Sequence, residues 1–459
     1  MMRFLRSLAI AIPAIILTAR PLPARAPAAS ETLSLSLEES VSLALKNNAE
    51  VKVAEEKVTE ARSRLAEAGT AFLPRVTGSA GYTRLDTAPY IPTSRLADIF
   101  AGGTGTPSLS SLPERIPIGL EDNYTASLKL VQPLWSGGRI TDAYEMSRFA
   151  AEKSASDAER ARVELVFETK RAYLGCVKAL RLETVAAQSV SRLEAHLADV
   201  QAMYEAGTAA KNDVLKTEVY LSQARLALLR ARHVARLAEK SLSSLLELPL
   251  DSEISFTTAV EEITPERIDL DAAVATAIER RPELASLGLQ RRIAGTDVAM
   301  KRSGYLPDVS LFANLAYQYP DREYAKDFYA SWSVGVTAQM NLFDWGAVAH
   351  RARESKSRLR QVELAERSAR DAVTLDVTRA HLALVEAWDE TEVADTGVAQ
   401  AEENYRVTEE RFAEGLATNT DLLDAEVLRT NALAAHGNAM VDYVIARADL
   451  DRAMGLSTP

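Results

Sequence analysis

Residues 124–138 read YTASLKLVQPLWSGG, and residues 332–346 read WSVGVTAQMNLFDWG. In the first stretch Tyr124, Ala126, Leu128 and Leu130 alternate with Thr125, Ser127 and Lys129; in the second, Trp332, Val334, Val336, Ala338 and Met340 alternate with Ser331, Ser333, Thr337 and Gln339. Period two, one side apolar and the other polar, is the pattern of a strand between two unlike environments. Each stretch stops at a glycine, Gly138 or Gly346, and a proline-free run of 66 residues follows, 139–204 and 347–412. At about 1.5 Å per residue each run predicts a helix roughly 100 Å long. No ordinary globular core needs helices of that length.

The two stretches belong to a duplication. At the same offset of 208, Arg171-Ala172 returns as Arg379-Ala380, Gly207 as Gly415, Asp213 as Asp421 and Leu248 as Leu456. Upstream the offset is 233: Leu37, Val41, Ala44, Glu50, Phe72, Leu73 and Pro74 return as Leu270, Val274, Ala277, Glu283, Tyr305, Leu306 and Pro307. The 25-residue difference lies between Pro74 and Leu134, where the first copy has a longer loop. A repeat of this size describes a scaffold of two equivalent halves and points away from an enzyme with one site. The copies are assigned to 29–248 and 270–459, with 249–269 as connector.

Each copy reads helix, strand, loop, strand, long helix, turn, helix. In copy one the lead helix is expected over 37–72, ended by Leu73-Pro74, because proline cannot continue the hydrogen-bond ladder. Strands follow at 75–83 and 123–132, the long helix at 139–204 and the return helix at 213–248. Copy two has strands at 308–319 and 328–340, the long helix at 347–412 and the return helix at 420–455. Leu221, Ala224, Leu228, Ala231, Ala235, Ala238, Leu242 and Leu245 step 3-4-3-4-3-4-3, a seam for side-by-side packing.

Residues 1–28 read as a signal peptide. Arg3 and Arg6 precede an apolar run at 8–17 too short to cross a bilayer, and Ala26 and Ala28 offer an A-x-A cleavage site. The single cysteine, Cys176, excludes an internal disulfide. A net charge of −11 disfavours nucleic-acid partners, which select basic faces.

Alternation alone favours a half-buried strand pair in a soluble sheet. Export and the aromatics tip the reading toward a bilayer: Tyr82, Tyr124, Trp135, Tyr317, Trp332 and Trp345 lie in or just after the strands, as interfacial girdles do. One chain then supplies four membrane strands, too few to close a barrel, and lipid forbids an open sheet edge. Three copies make twelve strands. Twelve helical columns about 10 Å apart enclose a width of roughly 25–30 Å, and twelve tilted strands enclose a similar one. The fold class expected is mainly α with membrane β, a trimer forming a twelve-stranded β-barrel plus a long periplasmic α-helical barrel.

The chain resembles the TolC-type outer-membrane efflux proteins over essentially its whole mature length. The resemblance rests on the twin Leu73-Pro74 and Leu306-Pro307 and on Gln132-Pro133-Leu134-Trp135-Ser136-Gly137-Gly138 with its partner Asn341-Leu342-Phe343-Asp344-Trp345-Gly346. The turns Tyr204-Glu205-Ala206-Gly207-Thr208 and Phe412-Ala413-Glu414-Gly415-Leu416 complete it. It implies a homotrimeric channel-tunnel in outer-membrane lipid, with 249–269 in its equatorial region. Through it drugs, small molecules or polypeptides leave, driven by an inner-membrane transporter of the RND, ABC or MFS type docked through a periplasmic adaptor. Pro74 and Pro307 would mark the helix-to-strand transitions.

The turns between long and return helices are the expected periplasmic tips. Gly207 and Gly415 suit a left-handed helix end, Asn212 and Thr420 are expected caps, and Asp213 and Asp421 sit in the first turn. These features alone also describe tight interhelix turns. The resemblance implies that the second hairpin lines a closed end, so Asp421 and Asp424 are the expected gate. Around the tips, Gly207, Thr208, Asn212, Asp213, Gly415, Leu416, Thr418 and Thr420 are expected adaptor contacts. Related channels often carry an arginine where this chain has Ala417 and a tyrosine where it has Phe412, so a lock built on those side chains is excluded.

No cofactor or metal is expected. The histidines, His196, His233, His350, His381 and His436, form no pair at i+3 or i+4. Gly102-Gly103-Thr104-Gly105-Thr106 lacks the lysine of a phosphate loop, and no G-x-S-x-G elbow is present. The chain reads as a non-enzyme. The rival reading is a soluble periplasmic coiled-coil adaptor, which needs one helical hairpin and no spanning strands.

Overall fold

The computed structural model describes residues 33–95, 113–258, 264–323 and 325–456. The expected signal peptide and the glycine tract at 102–106 lie outside them. β1 (Leu33–Leu35) leads into α1 (Leu37–Asn47) and α2 (Ala49–Thr70), followed by β2 (Arg75–Arg84), β3 (Tyr90–Pro92), β4 (Arg115–Pro117) and β5 (Asp122–Trp135). The 67-residue α3 (Arg139–Glu205) then descends and α4 (Lys211–Leu245) returns. After β6 (Ile254–Phe256), the second copy supplies α5 (Leu270–Arg280), α6 (Pro282–Arg302), β7 (Asp308–Tyr319) and β8 (Tyr329–Gln339). It ends with the 67-residue α7 (Ala347–Ala413) and α8 (Asn419–Ala453).

The lead helix expected to run unbroken over 37–72 is two helices meeting at Asn48. Its side chain accepts from the Glu50 amide at 2.9 Å while its own amide still bonds Ala44 O, so one residue ends α1 and caps α2. In the second copy Arg281 holds the same position, driven out of helical geometry (ψ 120) by the ring of Pro282. Neither lead helix reaches its Leu-Pro pair. They end at Thr70 and Arg302, the second followed by a 3-10 turn at Ser303–Tyr305, and Pro74 and Pro307 stand immediately before the strands.

Both breaks dock on the C-terminus of a return helix. Asn48 Nδ2 lies 3.4 Å from Leu245 O, and Arg281 Nε donates to Ala453 O at 2.7 Å, which are equivalent positions of the two copies. Helix-terminal carbonyls lack intrahelical partners, and the partial negative charge there favours a cation. Nearby, Tyr173 donates its hydroxyl to Leu35 O at 2.9 Å, and its counterpart His381 places Nε2 2.9 Å from Ile268 O. The duplicated scaffold keeps its junctions and exchanges the chemistry that closes them. A core surrounds each junction: Ala44, Leu165, Leu242 and Leu246 in the first, and Ala277, Val373, Leu450 and Met454 in the second.

The helices form a wall of four columns. Along its length α3 packs against α2 and α6 near the strands and against α4 and α8 toward the tip, while α7 packs against α6 and then α8. The outer columns, α2/α4 on one side and α7 on the other, carry exposed apolar side chains, Leu215, Leu226 and Leu237 on α4 and Leu364, Leu375 and Leu382 on α7. Among the described residues no helix is long and apolar enough to cross a membrane.

The main sheet has strand order β2-β5-β7-β8, antiparallel throughout, with β2 and β8 as free edges. Two further pairings escaped the sequence reading. β1 pairs in parallel with β6 inside the expected connector, and β3 with β4 in the long loop; each strand has three residues, too few to show a period.

Candidate functional site

The sheet has two unlike faces. Register places Gly78, Leu128, Leu315 and Trp332 in one row, with Ala80, Ala126 and Tyr317 in the next on the same face. Its large side chains are exposed: Val76, Tyr82, Tyr124, Leu128, Leu315, Tyr317, Trp332, Val334 and Val336. At the loop end of this face Tyr82 packs on Tyr124 at 4.8 Å between ring centroids, and Tyr317 stacks on Phe328 at 5.0 Å. At the helix end, a bulge between Pro133 and Trp135 sets Trp135 opposite Val309. The extra residue flips Trp135 onto the apolar face, which strict alternation would deny it. Trp345 lies beyond β8, 87% exposed, its ring against Phe343. From Tyr124 to Trp135 the strand covers roughly 37 Å, or about 28 Å along the normal at a 40° tilt, close to the apolar band of a membrane barrel.

The opposite face is polar. Ser79 Oγ and Ser127 Oγ are 2.8 Å apart, and Thr77, Lys129, Asn314 and Ser333 form the adjoining row. Phe312 is the aromatic exception nearer the helices. Its ring lies across Gly335, so close that a Cβ there would stand 2.7 Å from the ring.

At the far end, α3–α4 and α7–α8 turn identically. Gly207 (φ +77) and Gly415 (φ +74) take the left-handed conformation, and the amides of Thr208 and Leu416 close back on Met203 O and Arg411 O at 2.9 and 2.8 Å. The expected caps are corrected. Asn212 and Thr420 already lie inside their helices, and the N-cap positions are Ala210 and Thr418, each two residues earlier. Thr418 Oγ1 accepts from the Asp421 amide at 3.2 Å, and Asp421 Oδ2 reaches back to the Thr418 amide at 2.8 Å. Ala210 has no side-chain oxygen, so the Asp213 amide bonds its carbonyl at 3.0 Å instead, and Asp213 Oδ2 accepts from the Ala210 amide at 3.3 Å. The two tips share a backbone but differ in side chains, Thr208 against Leu416 and exposed Lys211 against buried Asn419.

Asp421 and Asp424 are both exposed, and the chain gives them separate partners. Hydrogen bonds from the Thr418 hydroxyl and amide hold the Asp421 carboxyl below its ordinary pKa. Asp424 accepts from the Tyr220 hydroxyl at 3.0 Å, which raises the pKa of that phenol. Phe412, which cannot donate a hydrogen bond, sets its ring edge-on to His196 at 5.3 Å.

A set of ties between the two hairpins went unread in the sequence. Glu426, 3% exposed, receives Arg192 Nε at 2.9 and 3.0 Å. Asn419, 6% exposed, donates to Asp213 O and Thr217 Oγ1, both at 3.1 Å, and places Oδ1 2.6 Å from His196 Nε2. Lys216 adds a bond to Thr420 at 3.0 Å. The signal was available where the copies disagree, since Arg192, His196 and Asn419 answer to Gln400, Asn404 and Lys211. Among the described residues no group of three or more His, Cys, Asp or Glu side chains is placed to hold a metal.

Residues 40–247 and 273–456 match the family described as Outer membrane efflux protein. The alkaline protease secretion protein AprF of Pseudomonas aeruginosa is 26% identical over 347 residues, 72% of this chain and 69% of that protein. Of solved structures, the Campylobacter jejuni CmeC outer membrane channel superposes with a TM-score of 0.76 at 20% identity, covering 91% of this chain and 85% of that one. The Vibrio cholerae outer membrane protein VceC gives 0.74 at 16% identity, covering 91% and 96%.

Proposed function

From the fact that this chain belongs to the outer membrane efflux protein family, we infer that the subunit is one third of a closed wall. The protein is an exit duct in the outer membrane with a long periplasmic extension, and works with a periplasmic adaptor and an inner-membrane transporter. The observation that carries the trimer is the pair of unfinished edges. Among the described residues β2 and β8 have no further partner on opposite sides of a sheet whose one face is apolar, and α4 and α7 expose leucines on opposite sides of the wall. An open edge is untenable in lipid. A β2 edge meeting the β8 edge of a second copy is a head-to-tail contact, which closes into a ring. Three copies give twelve strands and twelve columns, a lumen roughly 25–30 Å wide.

In this assembly the tips point into the periplasm. Gly207, Thr208, Asn212 and Asp213, with Gly415, Leu416, Thr418 and Thr420, meet the adaptor, while Asp421 and Asp424 line the closed end. The interhelix bonds of Arg192, His196, Lys216 and Tyr220 hold the second hairpin against the first until docking displaces it. The secretion role named for the Pseudomonas relative makes polypeptide cargo the reading to test first, carried by an ABC-type transporter; efflux with an RND or MFS-type pump is the other. Membrane fractionation, the mass of detergent-purified protein and conductance in planar bilayers test the duct together. Three chains per particle and large open currents are expected. A single chain, monodisperse without detergent, overturns the reading.

A further inference from the structure

We propose that the polar face of the main sheet is an anion-selective surface, formed by Arg75, Lys129 and Arg322, so that the outer-membrane section of the duct favours acidic cargo. The proposal rests on the duct reading, in which that face lines the lumen. Register puts Arg75 and Lys129 on this side, and a ring contact brings Arg322 to it from the β7–β8 loop. Arg75 stands opposite Val131, in the row of Phe312 and Gly335, and Lys129 stands opposite Thr77 and Asn314 in the next. Tyr329 pairs with Gln318 near the loop end of the same face, and the Arg322 guanidinium lies over its ring, 4.7 Å from the centroid, in a cation–π contact. Along β7 the rows follow at about 7 Å and then about 14 Å. The cations therefore run from the helix end of the barrel to its outer mouth.

Nothing on that face, among the described residues of the strands, neutralises Arg75 or Lys129. Among the described residues neither Arg75 nor Lys129 makes an ion pair, and both are exposed. Within the strands the polar face carries one carboxylate, Asp308, and Arg139 already binds it at 3.0 Å. At the outer rim Glu121 and Asp122 are engaged by Arg84, at 3.3 and 3.4 Å. Beyond the strands the β7–β8 loop carries both signs, Asp321, Glu323 and Asp327 with Arg322 and Lys326, so the uncompensated charge lies with Arg75 and Lys129. The chain as a whole is acidic, net −11, so a strand face whose unpaired charges, Arg75 and Lys129, are both cationic departs from the average of its own sequence. Serine, threonine and asparagine already suffice to wet this surface.

Around a closed ring each cation recurs three times, facing its copies across water. Like charges converging on a lumen repel one another and draw counter-ions, and rings of arginine or lysine are how pores select anions. The screening length, about 8 Å at physiological ionic strength, is shorter than the lumen half-width, so the preference is graded; at 0.01 M salt it is about 30 Å and spans the opening. The ligand class is a carboxylate-, sulfonate- or phosphate-bearing solute, or an acidic stretch of polypeptide.

Reversal potentials in planar bilayers under a KCl gradient test this on the assembled protein. Arg75→Gln with Lys129→Gln is expected to lower the chloride-to-potassium permeability ratio at least two-fold, with a larger fall at 10 mM than at 1 M salt. Tripolyphosphate added on the β-barrel side is expected to block the unaltered channel and spare the variant. Lys129→Arg keeps the selectivity of the unaltered protein. If the double variant does not assemble, Lys129→Gln alone, which removes an exposed side chain without an ion-pair partner, gives the same comparison. Channels that form normally with unchanged reversal potential and block overturn the anion surface and leave the duct intact. Absence of any channel overturns both.

Discussion

Arg192 on α3 donates from Nε to both carboxylate oxygens of Glu426 on α8, at 2.9 and 3.0 Å, with Glu426 almost wholly shielded from water. Removing the arginine leaves a buried carboxylate whose remaining bond comes from the Thr430 hydroxyl. Such an orphaned charge costs on the order of 3–5 kcal/mol. Arg192→Met is therefore expected to speed amide exchange in α8 around Glu426 by about a hundredfold or more, up to roughly a thousandfold. Arg192→Met with Glu426→Leu, which removes both charges, is expected to recover most of that protection. A double variant no better protected than the single one counts against the tie.

The Thr418–Asp421 cap carries a pH dependence of known sign. The folded pKa of Asp421 lies below its ordinary value because the Thr418 hydroxyl and amide bond the ionised form. Its contribution is thus complete above the unfolded pKa, about 3.9, and disappears as pH falls through the lower folded value. Amide protection factors over 419–422, which compare exchange with that of the free peptide at the same pH, are expected to be flat from pH 7 to 5 and to fall only in stronger acid. Thr418→Ala is expected to fray the turn across the whole range.

Asp421→Asn with Asp424→Asn tests the closed end. If three copies bring these carboxylates around one opening, multivalent cations block the unaltered channel from the periplasmic side. The half-blocking concentration of hexamminecobalt is expected to rise about tenfold in the variant. An unchanged value removes both residues from the gate.

Gly335 and Phe312 are a close-packed pair inside the membrane sheet. A side chain at 335 collides with the ring, since even a Cβ would stand 2.7 Å from it. Gly335→Val is expected to reduce the yield of assembled protein in the outer membrane, and Phe312→Ala in the same chain to restore it. Failure of the second change to rescue would place the defect in the backbone instead.

Most of the architecture was legible because it is periodic. Alternation at 124–132 and 332–340 marks strands, and proline-free runs mark the long helices, since each residue of such an element repeats the demand of its neighbours. The hairpin turns were legible for a related reason. Gly207 and Gly415 supply a conformation that other residues enter at a cost. Where one residue settles the outcome, the pattern was silent. Asn48 splits a helix that periodicity would run through, Thr418 takes the cap expected at Thr420, and the bulge at Pro133 moves Trp135 to the other face.

The sequence by itself determined that this protein is a duplicated, exported subunit with two spanning hairpins, because hydrophobic period and repeat spacing are properties of the chain alone. Only the tertiary structure decided which side chains from distant segments meet. Arg192 finds Glu426 across 234 positions, Asn419 inserts between His196 and Thr217, and Arg75, Lys129 and Arg322 share one face. Those meetings depend on helix crossing and strand register, which three-dimensional packing sets and local pattern does not encode.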